Sequence, residues 1–246
     1  MNAGLVKTSL VNFPGRVAAA VFLPGCNLRC PFCHNAELAT ASVVLGPRAQ
    51  SETENEYVSL EDIYSHLERR ASVLGGIAIS GGEPLLSPAL PDLIRKARSV
   101  NLAVKIDTNG TLPDRLKTIL ESPDLVPDMI AIDVKTSPAR YGELTTESEA
   151  GPMAGQALIR SLEILERVRP RIRVEYRTVL VPGLVGEEEL RVIASLLPND
   201  ADWELAAFVP GTCLDETMND RDPYGPVETA RLLSVAASIR PGARIR

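Results

Sequence analysis

The chain has 246 residues, 45% of them hydrophobic and 24% charged, enough to build a sizeable core and ordinary for a globular protein. A formal net charge of −6 argues against a binder that tracks nucleic-acid phosphates, which needs a basic face. The longest apolar stretch, Val17 to Leu23, is far too short to cross a bilayer, so no membrane partner is expected.

The first residues, MNAGLVKTSLVNFPG, carry neither a basic region followed by an apolar core nor a small-residue cleavage site, and a cytoplasmic protein is expected. Four cysteines are too few for a disulfide scaffold in a chain of this length. Three of them, Cys26, Cys30 and Cys33, lie within eight residues of one another, and Cys213 is remote. That distribution fits metal-binding thiolates in a reducing compartment.

Along the chain, short apolar runs alternate with segments of helical spacing. Strands are expected at Val17–Leu23, Ile77–Ser80, Ala103–Asp107, Met129–Val134, Ile172–Leu180 and Trp203–Phe208. Between and after them, helices are marked by Leu60, Ile63, Leu67 and Leu74, by Leu90, Leu93, Ile94 and Ala97, and by Leu116, Ile119 and Leu120. Further helices follow at Leu158–Val168, Leu190–Leu197 and Ala230–Ala237. Ser59 and Ser87 are candidate helix N-caps. Thr40–Tyr57 and Thr136–Pro152 have little periodicity and are expected to be surface loops. Strand–helix alternation implies parallel strands with right-handed crossovers, and six units fall short of the eight of a closed barrel. The predicted fold is α/β, an open, partial (β/α)6 TIM-type barrel in a single domain spanning 1–246.

The line GCNLRCPFCHN, residues 25–35, follows the first predicted strand and spaces its cysteines C-x3-C-x2-C, with Phe32 just before the last. Three thiolates on a short loop can ligate three irons of a four-iron cluster and leave the fourth iron open for chemistry. A structural zinc site completed by His34 is the alternative. Cys33 and His34 are adjacent, however, and neighbours seldom both reach one tetrahedral ion, while zinc knuckles usually show two separated ligand pairs. The spacing favours the cluster and leaves zinc open.

The later strands end in recurring polar motifs. SGGEP, Ser80–Pro84, offers two glycines that let backbone approach a ligand and Glu83 as an acceptor, or simply a glycine turn. DTNG, Asp107–Gly110, offers partners for ribose hydroxyls, or an Asx-type turn. In IDVK, Asp133 and Lys135 are two apart and share a side of the strand, where a plain ion pair is the structural alternative to ligand binding. The fifth predicted strand carries Glu175, Tyr176 and Arg177.

The cysteine spacing with its aromatic resembles the radical S-adenosylmethionine (SAM) superfamily. More narrowly, KTSLVNFPGRVAAAVFLPGCNLRCPFCHN resembles the start of the activating enzymes of glycyl radical enzymes, most closely those of anaerobic ribonucleoside-triphosphate reductase. The resemblance implies one 4Fe-4S cluster on Cys26, Cys30 and Cys33, in a loop over 24–36 that includes Phe32, with SAM on the open iron. It implies that Ser80, Gly81, Gly82 and Glu83 meet the methionine amino group. Asp107, Thr108, Asn109 and Asp133 would lie near the sugar or a bound monovalent cation, Lys135 would face the cofactor carboxylate, and Arg177 would contact the cofactor. The implied activity is reductive cleavage of SAM to a 5′-deoxyadenosyl radical that takes a glycine Cα hydrogen from a partner enzyme. A one-electron donor such as flavodoxin or ferredoxin is implied too.

Thr40–Tyr57 holds no cysteine, so no ferredoxin-like insertion and a single cluster are expected. Two departures stand out. Pyruvate formate-lyase activators place a histidine near AAFVPG, where this chain has Val209 and no histidine beyond His66. Asn12 stands where family members commonly have aspartate. Cys213 is expected to be a bystander. The alternatives are activation of another glycyl radical enzyme such as pyruvate formate-lyase, small-molecule chemistry like that of carboxy-deazaguanine synthase, and a non-catalytic zinc or cluster module.

Overall fold

The computed structural model of the protein describes residues 1–41, 56–146 and 150–246. Its strands are β1 (Asn2–Ser9), β2 (Ala18–Leu23), β3 (Glu56–Ser59), β4 (Gly76–Gly81), β5 (Ala103–Thr108), β6 (Met129–Asp133), β7 (Arg173–Leu180), β8 (Asp202–Ala207) and β9 (Ala243–Ile245). Its helices are α1 (Ala36–Thr40), α2 (Leu60–Arg70), α3 (Leu90–Ser99), α4 (Pro113–Glu121), α5 (Ala150–Val168), α6 (Glu187–Leu196) and α7 (Pro226–Ile239). The six expected strands are β2 and β4 to β8, each to within a residue at either end. No helix among the described residues is long and apolar enough to cross a membrane.

The chain divides into two compact units, and β6 is itself divided between them. The first unit comprises Met1–Asn27, Glu37–Thr108 and Asp114–Ile130. Its strands run in the order β3-β1-β2-β4-β5, followed by the first residues of β6. β2, β4 and β5 are parallel, and β1 is antiparallel to both β2 and β3. β2 reads AAAVFL with hardly a break in burial, as a central strand covered on both faces does. α2 and α3 turn Ile63 and Leu67, and Leu90, Leu93, Ile94 and Ala97, into the core at helical spacing.

Two rows across β2, β4 and β5 set the interior of this unit. Ala18, Gly76 and Ala103 stand side by side, and the Phe13 ring fills the space above these small residues in a buried cluster with Met129. Arg16 lies over the Phe13 ring at 5.5 Å and donates to the Gly75 carbonyl at 3.2 Å. The next row on the same face is Ala20, Ala78 and Lys105, two methyl groups beside one long cation.

The second unit comprises Leu28–Ala36, Asn109–Pro113 and Ala131–Arg246. Its strands run from the remainder of β6 through β7, β8 and β9, with β7, β8 and β9 mutually parallel in that order. Trp203 on β8 is fully buried and donates its indole N–H to the Thr178 hydroxyl on β7 at 3.1 Å.

Three expectations are corrected. Ser59 caps α2 as expected, its hydroxyl accepting from Asp62 N, but Ser87 does not cap α3. The cap is Ala89, and Ser87 Oγ accepts from Ala89 N in a turn leading up to the helix. The reading of Thr136–Pro152 as a surface loop fails. Residues Pro138–Leu144 form a 3-10 helix with Tyr141 and Leu144 fully buried, Thr136 is sealed in as well, and α5 begins at Ala150. The segment's short 3-10 repeat leaves no α or β period to read. Of the other expected loop, Glu56 and Tyr57 belong to β3, and residues 42–55 lie outside the described residues, as do 147–149.

Candidate active site

In the first unit, the site is built from backbone. β2 ends at Leu23 and the chain turns through Gly25 to Cys26, with Gly25 N donating to Leu38 O at 2.8 Å. The SGGE turn after β4 presses against this segment: Gly82 N donates to Leu23 O at 2.9 Å, and Glu83 N to Gly25 O at 2.8 Å. The approach leaves no room for side chains. A Cβ on Gly81 would fall 2.2 Å from Leu23 O, and one on Gly82 would fall 2.2 Å from Gly25 O and 3.2 Å from Cys26 Cβ. The two glycines are thus required by contact with the first cysteine's own loop.

Glu83 has no solvent exposure. Its Oε1 accepts from Leu85 N at 3.1 Å, capping the 3-10 turn Pro84–Leu86, and from the Thr108 hydroxyl at 2.8 Å. Glu83 and Thr108, both expected at the cofactor, are therefore joined to each other at the ends of β4 and β5. Asp107, on the same strand, is paired with the ammonium of Lys105, which lies two residues earlier and is 2% exposed. Asn12, at the other end of the unit, takes a turn role: its amide oxygen accepts from Ser9 Oγ at 2.5 Å.

In the second unit, Cys30 is buried and Cys33 half-buried, and Cys33 N donates to Cys30 O at 3.0 Å in a tight turn around Phe32, which is 6% exposed. Distant segments hold this turn. Arg29 N donates to Leu144 O at 2.7 Å, Leu214 N to Cys33 O at 3.1 Å, and Asp215 N to Pro31 O at 2.9 Å. His34 meets the Phe208 ring edge-on, with centroids 6.4 Å apart. Cys213 is buried within this scaffold, and burial raises its thiol pKa, with Cys33 adding to the effect.

Asp133, at the end of β6, is held by two cations. Arg177 Nε donates to its Oδ1 at 2.9 Å, and Lys135 Nζ to its Oδ2 at 3.2 Å. Burial on its own would raise the pKa of this carboxyl, but Arg177 and Lys135 outweigh that and hold it at about 2. Lys135 is placed by its backbone, since its N–H donates to the hydroxyl of fully buried Tyr141 at 3.2 Å. Burial in turn drives the Tyr141 pKa well above its ordinary value, so this hydroxyl stays neutral. Asn109 is 4% exposed, and its Oδ1 accepts from Thr111 N at 2.9 Å and Thr111 Oγ1 at 2.6 Å, the Asx-type turn anticipated as the alternative for DTNG.

Sequence reasoning missed Lys105 and Tyr141. Lys105 had a signal, a lysine inside the otherwise apolar run of β5, whereas Tyr141 lay in a stretch without periodicity.

The donor set suits an iron–sulfur cluster. None of the three cysteines is in a disulfide. A four-iron cluster takes each of three thiolates on a separate iron and leaves the fourth iron open. The excess of one positive charge among Asp133, Lys135 and Arg177 suits a ligand carboxylate.

Comparison with known proteins gives a consistent result. Residues 20–196 match the model of the Radical SAM superfamily. The chain is 28% identical over 215 residues, 87% of its length and 82% of the relative's, to a protein of Methanocaldococcus jannaschii named "Putative glycyl-radical enzyme activating enzyme". It is 27% identical over 208 residues, 82% of its length and 77% of the relative's, to the pyruvate formate-lyase-activating enzyme of Clostridium pasteurianum. Over half the chain it is 33% identical to 7-carboxy-7-deazaguanine synthase of Methanopyrus kandleri, of which 51% is covered. Among solved structures, Streptococcus suis SuiB superposes with a TM-score of 0.63 at 15% identity, over 92% of this chain and 48% of that one. The chain thus spans about half the length of that structural neighbour, and the likeness shows the fold, the mostly parallel α/β class expected of a partial barrel.

Proposed function

This chain belongs to the radical SAM superfamily, enzymes of radical chemistry built on a 4Fe-4S cluster and SAM, and on that premise we propose that it activates a glycyl radical enzyme. The partner we assign is anaerobic ribonucleoside-triphosphate reductase. The observation that carries the activase reading is coverage: the chain aligns along more than four-fifths of its length with two proteins named as activating enzymes. The missing histidine near Val209 supports the reductase over pyruvate formate-lyase as partner.

In this reading residues 1–246 act as one radical SAM domain in the cytoplasm, with a flavodoxin or ferredoxin supplying the electron. The chemistry that the cluster and SAM would supply when bound is one-electron reductive cleavage of SAM to methionine and a 5′-deoxyadenosyl radical. Cys26, Cys30 and Cys33 would hold the cluster, leaving one iron to SAM. The backbone of Ser80–Glu83 would meet the methionine amino group, and Glu83 and Thr108 would fix the ends of β4 and β5 from beneath. Lys135 and Arg177 would orient the methionine carboxylate, with Asp133 keeping both cations in place. Asp107 and Asn109 would lie toward the ribose, and Phe32 would shield the cluster from water.

The deciding experiment mixes the reduced, cluster-loaded protein with SAM and anaerobic ribonucleotide reductase and looks for a glycyl radical by electron paramagnetic resonance. A radical on the reductase is expected. A radical only on another glycyl radical enzyme would move the partner and keep the chemistry. The second reading, small-molecule chemistry, is favoured by the partial match to 7-carboxy-7-deazaguanine synthase. It predicts 5′-deoxyadenosine formation that depends on a small substrate, with no protein radical.

A further inference from the structure

We propose that this protein needs no monovalent metal cation to bind SAM, because the ammonium of Lys105 stands permanently at the carboxylate where such a cation would sit. The inference rests on the assignment of Asp107 to the SAM site. A cation site near Asp107 and Asp133 is what the family resemblance implies, and the residues present do not fit one.

A carboxylate attracts a sodium or potassium ion most strongly when no other cation already answers its charge. In the first unit, Asp107 is already answered: Lys105 Nζ donates to its Oδ1, and both side chains are almost wholly enclosed, at 3% and 13% exposure. The neighbourhood in the sheet explains how so long a cation fits inside. Lys105 stands in register with Ala78, and Ala78 with Ala20, so two methyl-sized neighbours leave the volume that its four-carbon stem occupies. Lys105 and Asp107 are two apart on β5 and share its face, so the pairing is fixed by the strand itself.

In the second unit, Asp133 is answered twice over, by Arg177 and Lys135. Neither carboxylate is left with a charge that calls for a metal ion. A tethered ammonium, close in size to potassium, also has the advantage over a dissolved ion that it pays no cost of capture from solution. Lys105 is thus a positioning residue: it fixes the Asp107 carboxylate in place of a diffusible ion.

The test measures SAM affinity of the cluster-loaded protein by equilibrium dialysis in sodium, potassium and tetramethylammonium chloride at equal ionic strength. For the unaltered protein the three dissociation constants are expected to agree within about twofold. In the Lys105→Met variant, affinity in tetramethylammonium is expected to fall about tenfold, the size of one lost charged contact, and to return on adding potassium or methylammonium. A merely structural lysine would give no such rescue by cations. The inference is overturned if the unaltered protein loses about tenfold affinity in tetramethylammonium and regains it with potassium. It is also overturned if Lys105→Met weakens binding equally in all salts. Should that variant fail to fold, the salt exchange on the unaltered protein decides alone. Failure of the unaltered protein to bind SAM in any of the three salts would instead strike the reading of the site, and this inference with it.

Discussion

In the first unit, the turn that meets the cysteine loop is held by peptide groups and by two glycines that cannot bear a Cβ, and its one buried acid, Glu83, is spent on a cap and on Thr108. In the second unit, the end of β6 is tied to the middle of β7 by charge, with Asp133 between Arg177 and Lys135. The contrast teaches where each half is vulnerable. A surface shaped by backbone contact fails when volume is added, because close-packed main chain has nowhere to move. A surface shaped by ion pairs tolerates changes of shape and fails when charge is removed.

The largest expected effect ignores that distinction: replacing Cys26, Cys30 or Cys33 with Ala abolishes cluster-dependent cleavage. Iron and sulfide analysis after anaerobic reconstitution, followed by assay of 5′-deoxyadenosine, checks it. Any single variant retaining full yield would remove that cysteine from the ligand set.

Gly82→Ala probes the backbone half. Its new methyl would meet the Gly25 carbonyl at 2.2 Å, and the strain is expected to cost about 1–3 kcal/mol, read as a lower urea midpoint of the cluster-free protein. An unchanged midpoint would mean that the turn can slide away, and the contrast between the halves would weaken.

Arg177→Met probes the charged half. The fold is expected to survive while SAM affinity falls about tenfold, with partial recovery in Arg177→Lys. The sign of the pH dependence follows from Asp133, whose pKa of about 2 is depressed in the folded protein. Its contribution to stability is complete above the ordinary carboxyl range and is lost as pH falls from there through about 2. With one cation gone, its pKa moves up toward the ordinary value and the contribution shrinks. Urea midpoints of the two proteins are therefore expected to differ at pH 6 and converge toward pH 2, and parallel curves would refute the assignment.

The smallest effect is at Cys213, where Ala is expected to leave iron content unchanged. Loss of iron would make this buried thiol a participant.

The central strands were legible because β2, β4 and β6 are covered on both faces and carry nearly unbroken apolar runs. β1 was not, since NAGLVKTS mixes small, apolar and polar residues, and its place was set by pairing with β2 and with β3, whose sequence is equally short of signal. β9, three residues at the edge of β8, carries too little sequence to announce itself. Within the site, chemistry-bearing residue types were legible, while their partners were not. Nothing in SGGEP or DTNG says that Glu83 and Thr108 bond to each other, or that Arg177 reaches back to Asp133, because these contacts join strands far apart in sequence. Asp133 and Lys135 were the exception, being close enough along one strand for their pairing to follow from the spacing.

The anchorage of the second cysteine turn also has a meaning in time. Pro31 and Cys33 are made about 180 residues before their backbone partners Leu214 and Asp215. During synthesis the nascent chain therefore carries its thiols on a segment whose lasting shape is still to come. A chain stopped short of residue 214 is accordingly expected to carry all three thiols but to retain less iron than the full chain after reconstitution, which iron analysis would check.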